Sequence, residues 1–134
     1  MAAEGTFAVA LNCMDGRAQL PANTWLKERF GVDFIDMVTE AGIVRFCSAA
    51  RDAPQTVAVL ESIGVSVNAH GATQMAVIAH ADCAGNPIAD SAQKAQLSDA
   101  VAFLRDHFPR VDIIAVWIGP EWTCEELSRP QSTG

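Results

Sequence analysis

Two short motifs carry most of the chemistry available to this chain. Cys13-Met14-Asp15-Gly16-Arg17 follows directly on the apolar run 7–11, and His80-Ala81-Asp82-Cys83 follows directly on the apolar run 75–79. Thiols and an imidazole are donors that zinc accepts, and three protein ligands leave a fourth tetrahedral position open for water or substrate. Cys13, His80 and Cys83 are therefore candidate ligands for one Zn2+. Asp15 and Arg17 stand close behind the first thiol, a carboxylate and a cation able to act on whatever fills the open position.

Taken singly, each of these residues has a simpler reading. Cys is among the most often buried residue types, and a lone His is commonly a hydrogen-bonded structural residue. The combination is what points to a metal. An HxxC pair lets both side chains reach one ion from a strand end and the turn after it, and CxDxR sets a carboxylate beside a cation just past a strand. The other candidates are weaker. Cys47 and Cys124 lack such company and read as structural or surface residues. His107 closes a helical pattern, where an imidazole interacts well with the helix dipole. His70, in the loop Asn68-Ala69-His70-Gly71, is a candidate proton shuttle or interface contact. Trp25, Trp117 and Trp122 read as packing residues, and Arg45 and Arg51 as solvated charge flanking Gly42.

The elements that must position these motifs alternate between strand and helix. Residues 7–12 form a short apolar run bounded by Gly5 and the Asp15-Gly16 turn, the pattern of a buried parallel strand. Pro21 opens a helix that Gly31 stops after Phe30. A second strand is expected over 32–38, although Asp33 and Asp36 interrupt it. Ser48 or Asp52 can cap a helix running to Ile63, with Gly64 at its end. Residues 75–79 give a third strand, and 91–107 a helix with the stripe Leu97, Val101, Leu104 and Phe108, ended by Pro109. Residues 111–118 give a fourth strand, and the polar tail 128–134 is expected to fray.

This order predicts an α/β fold with a central, mostly parallel, four-stranded sheet of order 2-1-3-4 flanked by helices, forming a single domain over 1–134. Open sheets of this kind bind ligands beyond the carboxyl ends of their strands, where chain order reverses. With strands one and three as neighbours, that reversal brings Cys13 and Asp15 beside His80 and Cys83.

Composition narrows the partners. The chain has 134 residues, half of them hydrophobic, and a net charge of −7. Such an acidic balance argues against nucleic acid or an anionic membrane as partner but leaves room for a small anion beside a local Arg. No apolar stretch approaches the ~20 residues of a membrane span, and the start Met1-Ala2-Ala3-Glu4-Gly5 lacks the basic end and apolar centre of a signal peptide. A cytoplasmic location is expected. In a reducing compartment, four cysteines favour metal binding or catalysis over disulfides.

CxDxR after the first strand, HxxC after the third and the Ala41-Gly42 loop between them resemble the beta-class carbonic anhydrases, over roughly 7–127 and including the ending Ile114-Ala115-Val116-Trp117-Ile118. The resemblance implies Cys13, His80 and Cys83 as zinc ligands and Asp15 and Arg17 as a catalytic dyad. It also implies a homodimer or higher homo-oligomer with its sites near the interface. The implied chemistry is reversible hydration of carbon dioxide to bicarbonate by a zinc-bound hydroxide that Asp15 orients. Asp15 could instead fill the fourth position, with Arg17 released, and close the site.

The chain departs from the family pattern at two places. Thr39-Glu40 stands where the family usually has Arg-Asn, and Ile43 where it has Asn. Ala84 replaces the Gly that usually follows the second zinc Cys, with Gly85 next. The chain also lacks a long N-terminal helical arm, so a short, divergent member is expected. The alternatives are a related zinc hydrolase acting on carbonyl sulfide or carbon disulfide, and a non-catalytic zinc-binding protein on the same scaffold.

Overall fold

In the computed structural model, which describes residues 4–127, the chain builds one five-stranded sheet. The strands are β1 (Phe7–Cys13), β2 (Phe34–Glu40), β3 (Gln74–His80), β4 (Asp112–Ile118) and β5 (Cys124–Leu127). Three long helices connect them: α1 (Gln19–Phe30), α2 (Pro54–Ala69) and α3 (Asp90–His107). The spatial order is β2-β1-β3-β4-β5; the first four strands are parallel and β5 runs antiparallel to β4. No helix among the described residues is long and apolar enough to cross a membrane.

Strand periodicity divides the core between the two faces of the sheet. Val9 and Leu11 of β1 join Met75 and Val77 of β3 beneath Val59 and Ile63 of α2 and Leu97 and Leu104 of α3. The alternate residues Ala8, Ala10, Ala76 and Ile78 face Ala22, Leu26 and Phe30 of α1. The alanines of β1 let α1 lie close to the sheet. Both faces of β1 and β3 are buried, which is why these strands read as continuous apolar runs.

Expectation and structure differ in several places. Pro21 does not open α1, which starts two residues earlier at Gln19, and β2 covers Phe34–Glu40 rather than 32–38. The sheet has five strands, not four. β5 is only four residues long and carries Glu125 and Glu126, so neither length nor alternation marks it; it forms because Ile118 pairs with Cys124 across a hairpin. Neither Ser48 nor Asp52 caps α2. Pro54 starts it, Ala53 is the capping residue, and the Ser48 hydroxyl instead lies 3.2 Å from the Asp99 carboxylate. Gly64 does not end α2, because its open surroundings strain nothing and Val65 and Val67 carry the helix on to Ala69. The tail 128–134 lies outside the described residues.

His70 closes α2, where Asp36 of β2 accepts from its Nδ1 at 2.7 Å and from the Ser66 hydroxyl at 2.6 Å. Its ring stacks on Phe7 at 4.1 Å. It precedes β3, whereas His80 ends it, so the length of the strand, roughly 20 Å, separates His70 from the motifs. That distance removes it as a proton shuttle for them.

One backbone contact fixes the two loops that carry the motifs. Gly42 adopts φ +60°, and a Cβ there would come within 2.7 Å of the Gly85 backbone. A Cβ on Gly85 would meet the Ala41 carbonyl carbon at 2.7 Å and Gly42 N at 2.8 Å. The loop after β2 and the loop after Cys83 therefore touch through bare backbone. The glycine this contact requires is Gly85, so Ala84 leaves it intact. Gly85→Ala is expected to lower the unfolding free energy in urea by about 1–3 kcal/mol, the usual cost of overpacking. A variant as stable as the parent would show that the loops can part freely.

Candidate metal centre

Parallel pairing of β1 with β3 sets Leu11 opposite Val77, so both strands deliver their carboxyl ends to the same edge of the sheet. Cys13 is the last residue of β1 and His80 the last of β3. Cys83 returns from the turn that follows, where Asn86 N donates to its carbonyl at 3.2 Å. One donor atom each from Cys13, His80 and Cys83 lies within 4.8 Å of the others, and all three residues are buried.

The donor set fits a divalent cation. The two Sγ atoms are 3.8 Å apart, too far for a disulfide and close enough to share one ion. The His80 Nδ1 contacts the Ala81 carbonyl at 2.6 Å, which fixes Nδ1 as the protonated nitrogen and leaves the Nε2 lone pair free. Nε2 is fully buried and makes no hydrogen bond, a costly state unless another electron-pair acceptor occupies the space it faces.

Supporting contacts hold these candidate ligands in place. The Gly42 N–H donates to Cys13 Sγ at 3.4 Å. Gln93 of α3 donates to the His80 carbonyl at 2.9 Å, and Gln19 of α1 donates to the carbonyls of Cys13 at 2.7 Å and Asp15 at 3.0 Å. Gln93 was detectable in the sequence, since it is polar one turn before Leu97 on the buried stripe of α3. Gln19 carried no such signal.

Asp15 and Arg17 meet as the motif implied. Arg17 donates to the carboxylate from Nε at 3.0 Å and from Nη2 at 2.7 Å, and its backbone N–H adds a third contact at 2.9 Å. Asp15 Oδ2 lies 4.0 Å from His80 Nε2. The pairing with Arg17 lowers the Asp15 carboxyl to about 2. Burial alone would raise the Cys13 thiol, but the neighbouring His80 ring and the backbone N–H groups of Gly42 and Asp15 bring it down to about 7. Burial and the charge of Cys13 push the Cys83 thiol up. Cys47, buried among apolar residues away from the cluster, is pushed up to about 11.

Two contacts of Arg17 have no counterpart in the motif. Its guanidinium lies 4.3 Å from the Trp122 ring centroid, and it reaches Asp82 through Nη1. Trp122 is therefore more than a packing residue, and its ring also sits 5.6 Å from that of His80. Of the other two tryptophans, Trp117 is buried in the core, and Trp25 packs against the α1 side of the sheet. Arg45 is not the solvated charge expected: its Nε is buried, Nη2 donates to the Ala41 carbonyl at 3.4 Å, and the guanidinium lies 4.5 Å from the Phe46 ring centroid.

A mostly parallel sheet with a thiol and an imidazole at adjacent strand ends, and a second thiol in the turn after one of them, defines an α/β protein with a candidate metal centre at its switch point. Residues 3–128 match the family model described as "Putative carbonic anhydrase", and the chain belongs to that family. Known structures show the same fold. A β-carbonic anhydrase isoform I (TvaCA1) from Trichomonas vaginalis superimposes with a TM-score of 0.60 at 14% identity, covering 96% of this chain and 87% of that one. The β-carbonic anhydrase CafA of Aspergillus fumigatus gives 0.57 at 10% identity, over 92% and 77%. The apo form of a carbon disulfide hydrolase gives 0.54 at 14% identity, over 95% and 79%. No curated protein sequence matches the chain.

Metal binding must displace protons from this cluster. With the Cys13 thiol lowered to about 7, its thiolate gains population as pH rises from 6 to 8, while the Cys83 thiol, pushed up, stays protonated. Affinity for Zn2+ is therefore expected to rise from pH 6 to pH 8. Calorimetry at pH 7 in buffers of different ionisation enthalpy should show more than one proton released per metal. Affinity independent of pH would mean that the two thiols are not ligands.

Proposed function

We propose that this protein is a zinc enzyme that reversibly hydrates carbon dioxide to bicarbonate, with Cys13, His80 and Cys83 as metal ligands and Asp15 and Arg17 as the catalytic pair. One observation supports this most directly. Three buried donors converge within 4.8 Å, and beside them a carboxylate is held by an Arg instead of joining the cluster. Two thiolates and a neutral imidazole bring two negative charges to balance a divalent cation. Zinc bound by these residues would lower the pKa of a coordinated water toward neutrality and so supply a nucleophile at neutral pH.

The chain's own residues would then decide how that nucleophile is used. With its carboxyl near 2, Asp15 stays ionised at neutral pH, too acidic to store the reaction's proton. Its role is to accept a hydrogen bond from the attacking oxygen and turn a lone pair toward the substrate carbon. Arg17 keeps Asp15 ionised and fixes its orientation through two parallel N–H donors. His80 is held by its Nδ1 contact and by Gln93 on its carbonyl, so the ligand cannot turn away.

The altered loop is compatible with this reading. Glu40 lies opposite Cys13 in the β1–β2 register, and its carbonyl accepts from Met14 N at 3.3 Å. That backbone task does not depend on which side chain stands there. We further propose that the protein works as a homo-oligomer in the cytoplasm, with carbon dioxide and bicarbonate as its small-molecule partners.

Stopped-flow assay of zinc-loaded protein should show carbon dioxide hydration, with carbonyl sulfide and carbon disulfide as competing substrates in parallel. Asp15→Asn should keep one zinc per chain and lose about 100-fold or more in kcat/KM. Turnover of a sulfur substrate alone would move the protein to the hydrolase reading. Zinc binding with no turnover of any of the three would leave only a metal-binding role.

A further inference from the structure

Among the described residues, Asp82 and Trp122 are the two that hold a positive φ without being glycine, at 55° and 60°. Side chains rarely adopt this region, and residues held there tend to cluster at functional sites. Asp82 and Trp122 lie far apart in sequence, yet both contact the same group. Arg17 Nη1 donates to the Asp82 carboxylate at 3.3 Å, and Nη2 donates to the Asp82 carbonyl at 3.3 Å. The Trp122 ring covers a face of the guanidinium at 4.3 Å. Asp15 takes the remaining edge.

Asp15 has reason to need this restraint. Its Oδ2 is 4.0 Å from His80 Nε2. Two ligand atoms on one tetrahedral zinc, each at ~2.0–2.2 Å, stand roughly 3.3 Å apart. A shift of about 1 Å toward His80 would bring this carboxylate, itself a good zinc donor, to the spacing of two ligands on one ion. Among the described residues, the hydrogen bonds to the Asp15 carboxylate come from the Arg17 backbone N–H and guanidinium. The ion pair of Arg17 with Asp82 holds the guanidinium only weakly, because the two side chains are 49% and 84% exposed. The aromatic face adds an attraction and shields one side of the guanidinium from water.

We propose that Trp122, together with Asp82, is a positioning residue that clamps Arg17 onto Asp15 and so withholds the Asp15 carboxylate from the metal. This rests on the reading of the cluster as a metal centre with an open position. It also gives β5 a purpose. The hairpin that pairs Ile118 with Cys124 holds Trp122 by its N–H to the Gly119 carbonyl at 2.9 Å, and Thr123 accepts from Gly119 N at 3.3 Å. Trp122 thereby stands over both Arg17 and His80.

The test uses the full chain loaded with Co2+ and azide as a probe of the open position, read from the visible spectrum. Trp122→Ala should bind azide tenfold or more weakly while keeping one Co2+ per chain. Trp122→Phe, which retains an aromatic face, should return to within threefold of the parent. Trp122→Leu, similar in bulk but without the π face, should behave like Trp122→Ala and replaces it if that variant folds poorly. In metal-free protein, 15N spectra should show the Arg17 Nε–H held in slow rotation, and this signature should collapse in the Ala or Leu variant. Unchanged azide affinity in Ala and Leu, or Phe no better than Leu, overturns the clamp. Azide results as expected, with no hydration of carbon dioxide by the parent, would refute the proposed activity and leave the clamp standing.

Discussion

The parallel pairing of β1 with β3 is the constraint on which the rest of the molecule depends. Those strands are far apart in sequence, and α1, β2 and α2 lie between them. Setting Val9 opposite Met75 and Leu11 opposite Val77 brings a thiol from one strand end next to an imidazole from the other. A slip of one residue would turn every side chain of β1 to the opposite face. Val9 and Leu11 would then leave the α2–α3 core for the α1 face of the sheet, and Cys13 would turn away with them. The apolar contacts that fix the register are thus the same ones that assemble the cluster.

Around that edge, the molecule keeps groups of opposite tendency close together without letting them collapse onto one another. Buried thiols resist ionisation, yet Cys13 is brought down to about 7 by the ring and N–H groups beside it. A carboxylate next to three metal-type donors tends to join them, yet two guanidinium donors hold it to one side. Left-handed backbone at Asp82 and Trp122 costs about 1–3 kcal/mol per residue. The bare contact of Gly42 with Gly85 leaves no room for a side chain at either position. Left-handed backbone and close approach meet in the residues around the cluster, while β1 and β3 below it are regular and largely buried.

Much of this was legible in the chain. Strands β1 and β3 announce themselves because both faces are buried and nothing polar interrupts their runs 7–11 and 75–79. The motifs stand out because each sits at the end of such a run. What escaped notice shares a physical cause. β5 is short and acidic, and exists only because β4 offers an edge to pair with. Gly64 would stop an isolated helix, but packing along α2 carries the chain past it. Ser48 resembled a cap until Asp99, from a distant helix, proved to be its partner. Trp122 looked like ordinary packing because nothing local links it to Arg17.

The sequence alone determined the donor chemistry: two thiols, an imidazole, a carboxylate and a cation, each at a position where a strand must end. These are local properties, set by residue type and by the period of the apolar residues around them. Only the tertiary structure decided which nitrogen of His80 is free, that Asp15 faces Arg17 rather than the three donors, and that an aromatic ring from the far end of the chain covers that pair. Those outcomes depend on contacts between segments distant in sequence, and no local pattern encodes the distance at which two such segments come to rest.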